Sequence, residues 1–337
     1  MEEVTDGIYQ LPVPLTNSPL GHINAYLIKA GNGYLLVDTG WDNDEAFSSL
    51  EAQLAEIGAR PEEITQIVIT HIHPDHYGLA GRLKQLSRAT IAMHRREKDY
   101  IKSRYVNMDK LLQQLAQWLA INGVPADELP SLQIASTPVA RFVVPTSPDI
   151  TLYGGETITA GSFNFKTLWT PGHSPGHISL YEPARKILIS GDHILPNITP
   201  NIALHPQSGR NPLNDYLTAL NTVKQLEVEL VLPGHEHPFN NLPARIDEII
   251  QHHHQRNAKI LNTIKDNTKS AYQVATELTW RPGTRGNNWQ NLSPLDRRLA
   301  LLETLSHLEF MRFEGKLAKL SQDSIIYYQL PDATEKN

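Results

Sequence analysis

The chain has 337 residues, 40% of them hydrophobic and 20% charged, which suits one large globular domain plus a small one and excludes disordered, collagen-like and coiled-coil proteins. It has no cysteine, so disulfide frameworks, thiolate zinc fingers, iron–sulfur clusters and cysteine nucleophiles are excluded as well. The net charge of −6 divides into −7 over residues 1–245 and +1 over 246–337, which weighs against tight nonspecific binding of nucleic acid.

The N-terminus, Met1 to Pro14, lacks the basic and apolar regions of a signal peptide. No apolar run approaches the roughly 20 residues that a membrane span needs. A soluble cytoplasmic protein, away from membranes, is the expectation.

Taken in chain order, short β-branched apolar runs read as buried strands. A strand over Ile23–Ile28 follows His22, and Tyr34–Val37 ends at Asp38. Phe47, Leu50, Leu54 and Ile57 then fall at helical spacing, predicting an amphipathic helix over Asp44–Ile57. The strand Ile67–Thr70 ends at His71, and Ile91–Met93 ends at His94. Residues 97–135 interrupt the alternation. Leu111, Leu115, Trp118 and Leu119 mark a helix closed by Asn122-Gly123, read as a helical insertion over the domain, a lid or substrate wall on one reading and a packing insert on the other.

Alternation resumes with Phe165–Trp169 leading to His173, Ile187–Gly191 ending at Asp192, a helix over Asp215–Leu226, and Leu230–Gly234 ending at His235. Strands alternating with helices predict an α/β layered domain over 1–243. After a boundary near Pro243, residues 244–337 predict helices at about 245–265, Ser270–Leu278 and Pro294–Glu314, then a hairpin over Leu317–Ser321 and Ser324–Leu330. Three helices and a hairpin is the layout of a winged-helix module.

Six of these strands end in His or Asp. Side chains at neighbouring strand ends converge on one edge of a sheet, where a rigid frame presents ligand-binding loops. The central motif is His71-Ile-His73-Pro-Asp75-His76. At this chain's own composition such a cluster arises by chance with a probability of roughly 10⁻³. Imidazole nitrogens and carboxylate oxygens suit zinc, with iron or manganese as alternatives. Together with the strand ends there are seven candidate ligands: His71, His73, Asp75, His76, His173, Asp192 and His235. Seven are too many for one ion and suit two open sites that share a carboxylate and clamp a hydroxide between two divalent metal ions.

Together with Leu36-Val-Asp38-Thr-Gly, Thr170-Pro-Gly-His173, Ser190-Gly-Asp192 and Leu232-Pro-Gly-His235, that motif resembles the metallo-β-lactamase superfamily over about residues 4–240. The resemblance implies an αββα sandwich with metals at the sheet edge. It implies His71, His73 and His173 on one metal, Asp75, His76 and His235 on the other, Asp192 bridging, and Asp38 orienting ligands by hydrogen bonds. The motif Thr170-Pro-Gly-His-Ser-Pro-Gly-His177 is similar to glyoxalase II. The winged-helix-like tail is closer to a branch that includes uncharacterised bacterial hydrolases, a mitochondrial endoribonuclease and fungal polyketide thioesterases.

The function this implies is a dinuclear metal-dependent hydrolase of a small ester, thioester or lactone. A metal-bridging hydroxide would attack, with Asp75 and Asp192 as catalytic carboxylates and Asp75 able to carry a proton. Two other readings are an RNA phosphodiesterase, and a winged-helix nucleic-acid-binding regulator with a metal-binding domain. Against the regulator, Pro294–Glu314 carries no basic excess, and its leucines suggest packing. A homodimer through the tail is a further expectation.

Among the remaining histidines, His177 is expected behind the ligands, His193 in the pocket wall or the core, and His94 in a structural role. His22, Tyr77, His205 and Arg210 are candidate substrate contacts. His252-His253-His254 cannot all hold one ion, because successive helix residues point about 100° apart. A solvated or interface helix is expected there, and His237 and His307 are assigned to surface or packing.

Overall fold

A computed structural model of the chain describes residues 1–280 and 288–331. The chain forms two compact units, the first from residues 1–107, 139–200 and 219–246, the second from 108–138, 201–218 and 247–337. This is not the single cut near Pro243 that the sequence suggests. Of residues 97–135, expected as an insertion over the first domain, 97–107 stay with the first unit and 108–135 cluster with the C-terminal residues, as does the segment 201–218.

The first unit holds two sheets. In the larger, seven strands lie in chain order from Glu2–Thr5 through Ile8–Pro14, His22–Ala30, Gly33–Val37, Ile64–Ile69 and Thr90–His94 to Ile150–Leu152. The smaller orders Leu230–Pro233, Ile187–Gly191, Ile178–Glu182, Phe163–Trp169 and Thr157–Ala160.

Side chains alternate across each strand. Ile28, Leu35, Val37, Val68 and Ala92 therefore form one core with Phe165, Ile178, Leu180, Ile189 and Leu232 of the smaller sheet. Their neighbours Leu27, Leu36, Ile67, Ile69, Ile91 and Met93 point the other way, against Leu50 and Leu54 of helix Asp44–Glu56 and Leu83 of helix Ala80–Ser87. The result is an α/β sandwich whose central strands, such as Ile187–Gly191, are buried on both faces and so read as continuous apolar runs. The helix Asp44–Glu56 starts where Asn43 accepts a hydrogen bond from the Ala46 amide at 2.8 Å, a cap worth about 1 kcal/mol.

In the second unit, helix Asp109–Ile121 ends at Gly123, whose φ of +93° lies in the range that favours glycine. The C-terminal helices span Leu242–Ile264, Ala271–Glu277 and Pro294–Phe313, followed by strands Ala318–Gln322 and Ile325–Gln329. A two-residue strand, Lys269–Ser270, adds to the hairpin and is too short to show in the sequence. On Pro294–Phe313 all three arginines are engaged. Arg297 lies 3.4 Å from Glu128, Arg298 donates to the carbonyls of Leu132 and Gln133, and Arg312 pairs with Glu309. Among the described residues no helix is long and apolar enough to cross a membrane.

Candidate metal centre

Parallel pairing brings strand ends together. Strand Gly33–Val37 runs parallel to Ile64–Ile69, which sets Asp38 beside Thr70 and His71. Strand Ile187–Gly191 runs parallel to Leu230–Pro233, which sets Asp192 beside Gly234 and His235. Between them Trp169 pairs with Ile178, so the Thr170–His177 loop returns to the same rim. Pro74 opens the short helix Pro74–Tyr77, where a missing N–H costs nothing, and so carries Asp75 and His76 back toward His71.

All seven candidate ligands meet there. His71 Nε2 and His173 Nε2 lie 2.9 and 3.0 Å from His73 Nδ1. His235 Nε2 is 3.4 Å from Asp75 Oδ2. Asp192 Oδ2 stands between the groups, 3.4 Å from His76 Nε2 and 3.6 Å from both His173 Nε2 and His235 Nε2. Ligands about 2.1 Å from a tetrahedral ion are about 3.4 Å apart, so the spacings of 3.4 and 3.6 Å around Asp75 and Asp192 fit cations rather than ordinary hydrogen bonds alone. The donor set fits as well: the buried His76 Nε2, His235 Nε2 and Asp192 Oδ1 have no hydrogen bond, and such atoms are costly unless something binds them. Three groups could each hold an ion: His71, His73 and His173; His71, His76 and Asp192; and Asp75, His76 and His235.

The far sides of three rings, His71, His76 and His235, are fixed by acceptors. His76 Nδ1 donates to Asp38 Oδ2 at 2.7 Å, and His235 Nδ1 to the His22 carbonyl at 2.9 Å. Thr70 Oγ1 donates to Asp38 Oδ2 and so accepts from His71 Nδ1 at 3.1 Å. Each bond keeps a proton on Nδ1 and aims Nε2 into the centre. His177 Nε2 accepts the Asp192 amide at 3.1 Å, while its Nδ1 meets Thr170 Oγ1 at 2.8 Å. Gly234 lies so close that a β-carbon there would fall 2.5 Å from Asp192 Oδ1 and 2.9 Å from His76 Cε1.

The charges differ across the centre. Burial, reinforced by the imidazoles around them, holds His71 and His73 well below the usual histidine range, so they are neutral and able to ligate. Burial alone would lower His76 and His235 too, but the Asp192 carboxylate and its neighbours outweigh it. His76 is held well above its usual value, and His235 is raised to about 10. The carboxylates answer in kind. Burial would raise Asp75, yet His76 and His235 bring it down to about 2, and His235 and His76 likewise hold Asp192 well below its usual value. Without cations, protons on His76 and His235 balance the acids, and a cation would displace them.

The other candidates have different surroundings. Tyr77, expected at the substrate, is fully buried, and its hydroxyl donates to the Thr146 carbonyl and accepts the Thr146 amide; it is a packing residue. His22 reaches the centre through its carbonyl. His205 and Arg210 belong to the second unit. His193 is fully buried, and burial brings it down to about 3. His94 accepts the Arg96 amide and stacks on Trp169, as a structural residue would.

Two residues escaped the sequence reading. Tyr105 donates to the Ile72 carbonyl at 2.5 Å. Glu97 is fully buried and accepts hydrogen bonds from two of the ligand-bearing loops. No motif marks either. The only signal for Glu97 is a carboxylate close behind the strand that ends at His94.

The family model of the metallo-beta-lactamase superfamily matches residues 18–235, and the chain belongs to that superfamily. The probable metallo-hydrolase YqjP of Bacillus subtilis (strain 168) is 26% identical over 329 residues, covering 96% of this chain and 98% of its own. An atrochrysone carboxyl ACP thioesterase of Aspergillus fumigatus is 22% identical over 98% of this chain and 65% of that protein. The crystal structure of a metallo-beta-lactamase family protein from Thermus thermophilus matches with a TM-score of 0.83 at 28% identity, covering 98% of this chain and 100% of that one.

Proposed function

We propose that this superfamily metallo-hydrolase uses a dinuclear centre to cleave a small ester, thioester or lactone. One observation carries the reading: a single oxygen, Asp192 Oδ2, lies within 3.6 Å of imidazoles from both ligand groups, as a shared ligand requires. His71, His73 and His173 would hold one divalent ion, and Asp75, His76 and His235 the other. Bound cations would supply a water of lowered pKa and a polarised electrophile.

The chain's own residues supply the rest. His73, Asp75 and His173 keep partial exposure while His71, His76 and His235 are buried, so substrate meets the centre on the side of those three. Asp75 is the partly exposed acid beside His235, placed to take the proton of the attacking water and hand it to the departing alcohol or thiol. Asp38, the His22 carbonyl and His177 keep the ligands in one orientation, so the centre need not reorganise during reaction. The extended match to a thioesterase supports an acyl substrate. The engaged arginines of Pro294–Phe313 speak against a nucleic-acid regulator.

The test is a panel of thioesters, lactones, carboxylic esters and labelled RNA, offered to protein loaded in turn with zinc, manganese and iron(II). Turnover of an acyl substrate that vanishes on chelation and returns with about two equivalents of metal is expected. Turnover of RNA alone, or activity indifferent to chelation, would overturn the reading.

A further inference from the structure

Glu97 sits in the short helix Arg95–Lys98, just past the strand that ends at His94, and its side chain is fully buried. One oxygen, Oε2, accepts the Ile72 amide at 3.0 Å. The other, Oε1, accepts the Ser174 hydroxyl at 2.7 Å and the Gly176 amide at 2.5 Å. Ile72 lies between His71 and His73, while Ser174 and Gly176 follow His173. One carboxylate therefore ties together two loops about a hundred residues apart, at points flanking all three histidines of one ligand group.

Gly176 is what lets it in. A β-carbon there would fall 2.8 Å from Glu97 Oε1 and 2.9 Å from Glu97 Cγ. The second ligand group is braced by other atoms. Asp38 holds His76, the His22 carbonyl holds His235, and His177 holds the Asp192 amide, while Asp38 also reaches His71 of the first group through Thr70. Glu97 bonds none of these.

We propose that Glu97 is a positioning residue dedicated to the His71, His73 and His173 half of the centre, setting the affinity of that half independently of the other. The inference rests on the dinuclear reading above. It follows from hydrogen-bond chemistry: an ionised carboxylate accepts all three bonds, whereas an amide in its place must turn an N–H₂ toward a donor. Loss of a partner behind metal ligands typically costs about 10–100-fold in metal affinity.

The experiment is a stepwise cobalt(II) titration of metal-free full-length protein, followed by visible absorption and calorimetry, with melting of the metal-free forms alongside. The wild type should take up two ions. In Glu97→Gln one of the two steps should weaken by about 10–100-fold while the other stays within about threefold. The conservative Glu97→Asp should fall between Gln and wild type. In Asp38→Asn both steps should weaken, because Asp38 serves both groups. Ser174→Ala removes one bond only and should weaken the same step as Glu97→Gln by a smaller factor, which keeps the test open if Glu97→Gln fails to fold. Equal weakening of both steps in Glu97→Gln, or a lowered melting temperature with both affinities unchanged, would overturn the proposal. A wild type that binds no cobalt, or only one equivalent, would instead defeat the dinuclear reading on which it stands.

Discussion

The molecule buries histidines in two places, and their surroundings are opposite in character. In the first unit, imidazoles at strand ends face Asp38, Asp75 and Asp192. In the second, His253 and His307 meet between helices Leu242–Ile264 and Pro294–Phe313. There His307 Nδ1 donates to Asn257 Oδ1 at 2.7 Å, and His253 Nδ1 donates to His307 Nε2 at 3.3 Å. No carboxylate takes part in this chain of bonds. Burial, with nearby His252 and Arg256 adding to it, brings His253 down to about 3, and burial also keeps His307 well below its usual value. The same side chain at similar depth is a cation holder in one place and a neutral packing group in the other. The partner decides: a carboxylate makes positive charge welcome, and an amide does not.

The sharpest way to break this contrast is to remove the shared acid. Asp192→Ala should cost at least about 100-fold in metal affinity and leave activity near background, as read by elemental analysis after dialysis and by turnover. Next in size, Asp38→Asn should weaken metal binding by about 10–100-fold, measured by competition with a chelating dye.

His253→Ala should act on stability alone. It leaves His307 Nε2 without its donor and should cost about 1–3 kcal/mol in denaturant unfolding, with metal content and turnover unchanged. The pair should also mark the acid limb of the stability curve. His253 titrates near 6.5 unfolded and about 3 folded, so its contribution is complete above 6.5 and drains away as pH falls toward 3. In metal-stripped protein His235 works in the opposite direction. Its folded value is about 10, so its contribution is complete below 6.5 and is lost as pH climbs through 10. Melting of wild type, His253→Ala and His235→Ala across pH would resolve the two slopes. The smallest effect belongs to exposed His254: His254→Ala should stay within about 0.5 kcal/mol and leave the metal alone.

The same contrast explains what the sequence discloses. The ligand cluster is legible because parallel strands place their ends in register, so polar residues after apolar runs translate directly into a shared rim. Asp38 was legible for the same reason. The run His252-His253-His254 was expected on a solvated or interface helix, and the structure corrects this for its middle member. A helix turns each residue away from the last, so His254 is exposed while His253 is 1% exposed against His307. Which of three neighbours faces inward depends on a helix about fifty residues further on. Glu97 was hidden because its three donors are two amides and a hydroxyl, groups that nearly every residue or many residues could supply. Tyr77 was misread because adjacency to a motif says nothing about direction, and its hydroxyl turns to Thr146. The membership of residues 108–138 in the second unit depends on long-range packing that local periodicity does not encode.

The glycine before His235 has a consequence of its own. With the nearest oxygen of Asp192 2.5 Å from where its first side-chain atom would stand, position 234 tolerates no methyl group without eviction of the acid or of His76. Gly234→Ala would thus dismantle the centre by crowding alone, every ligand still present in the chain. A census of donor residues would pronounce such a variant intact.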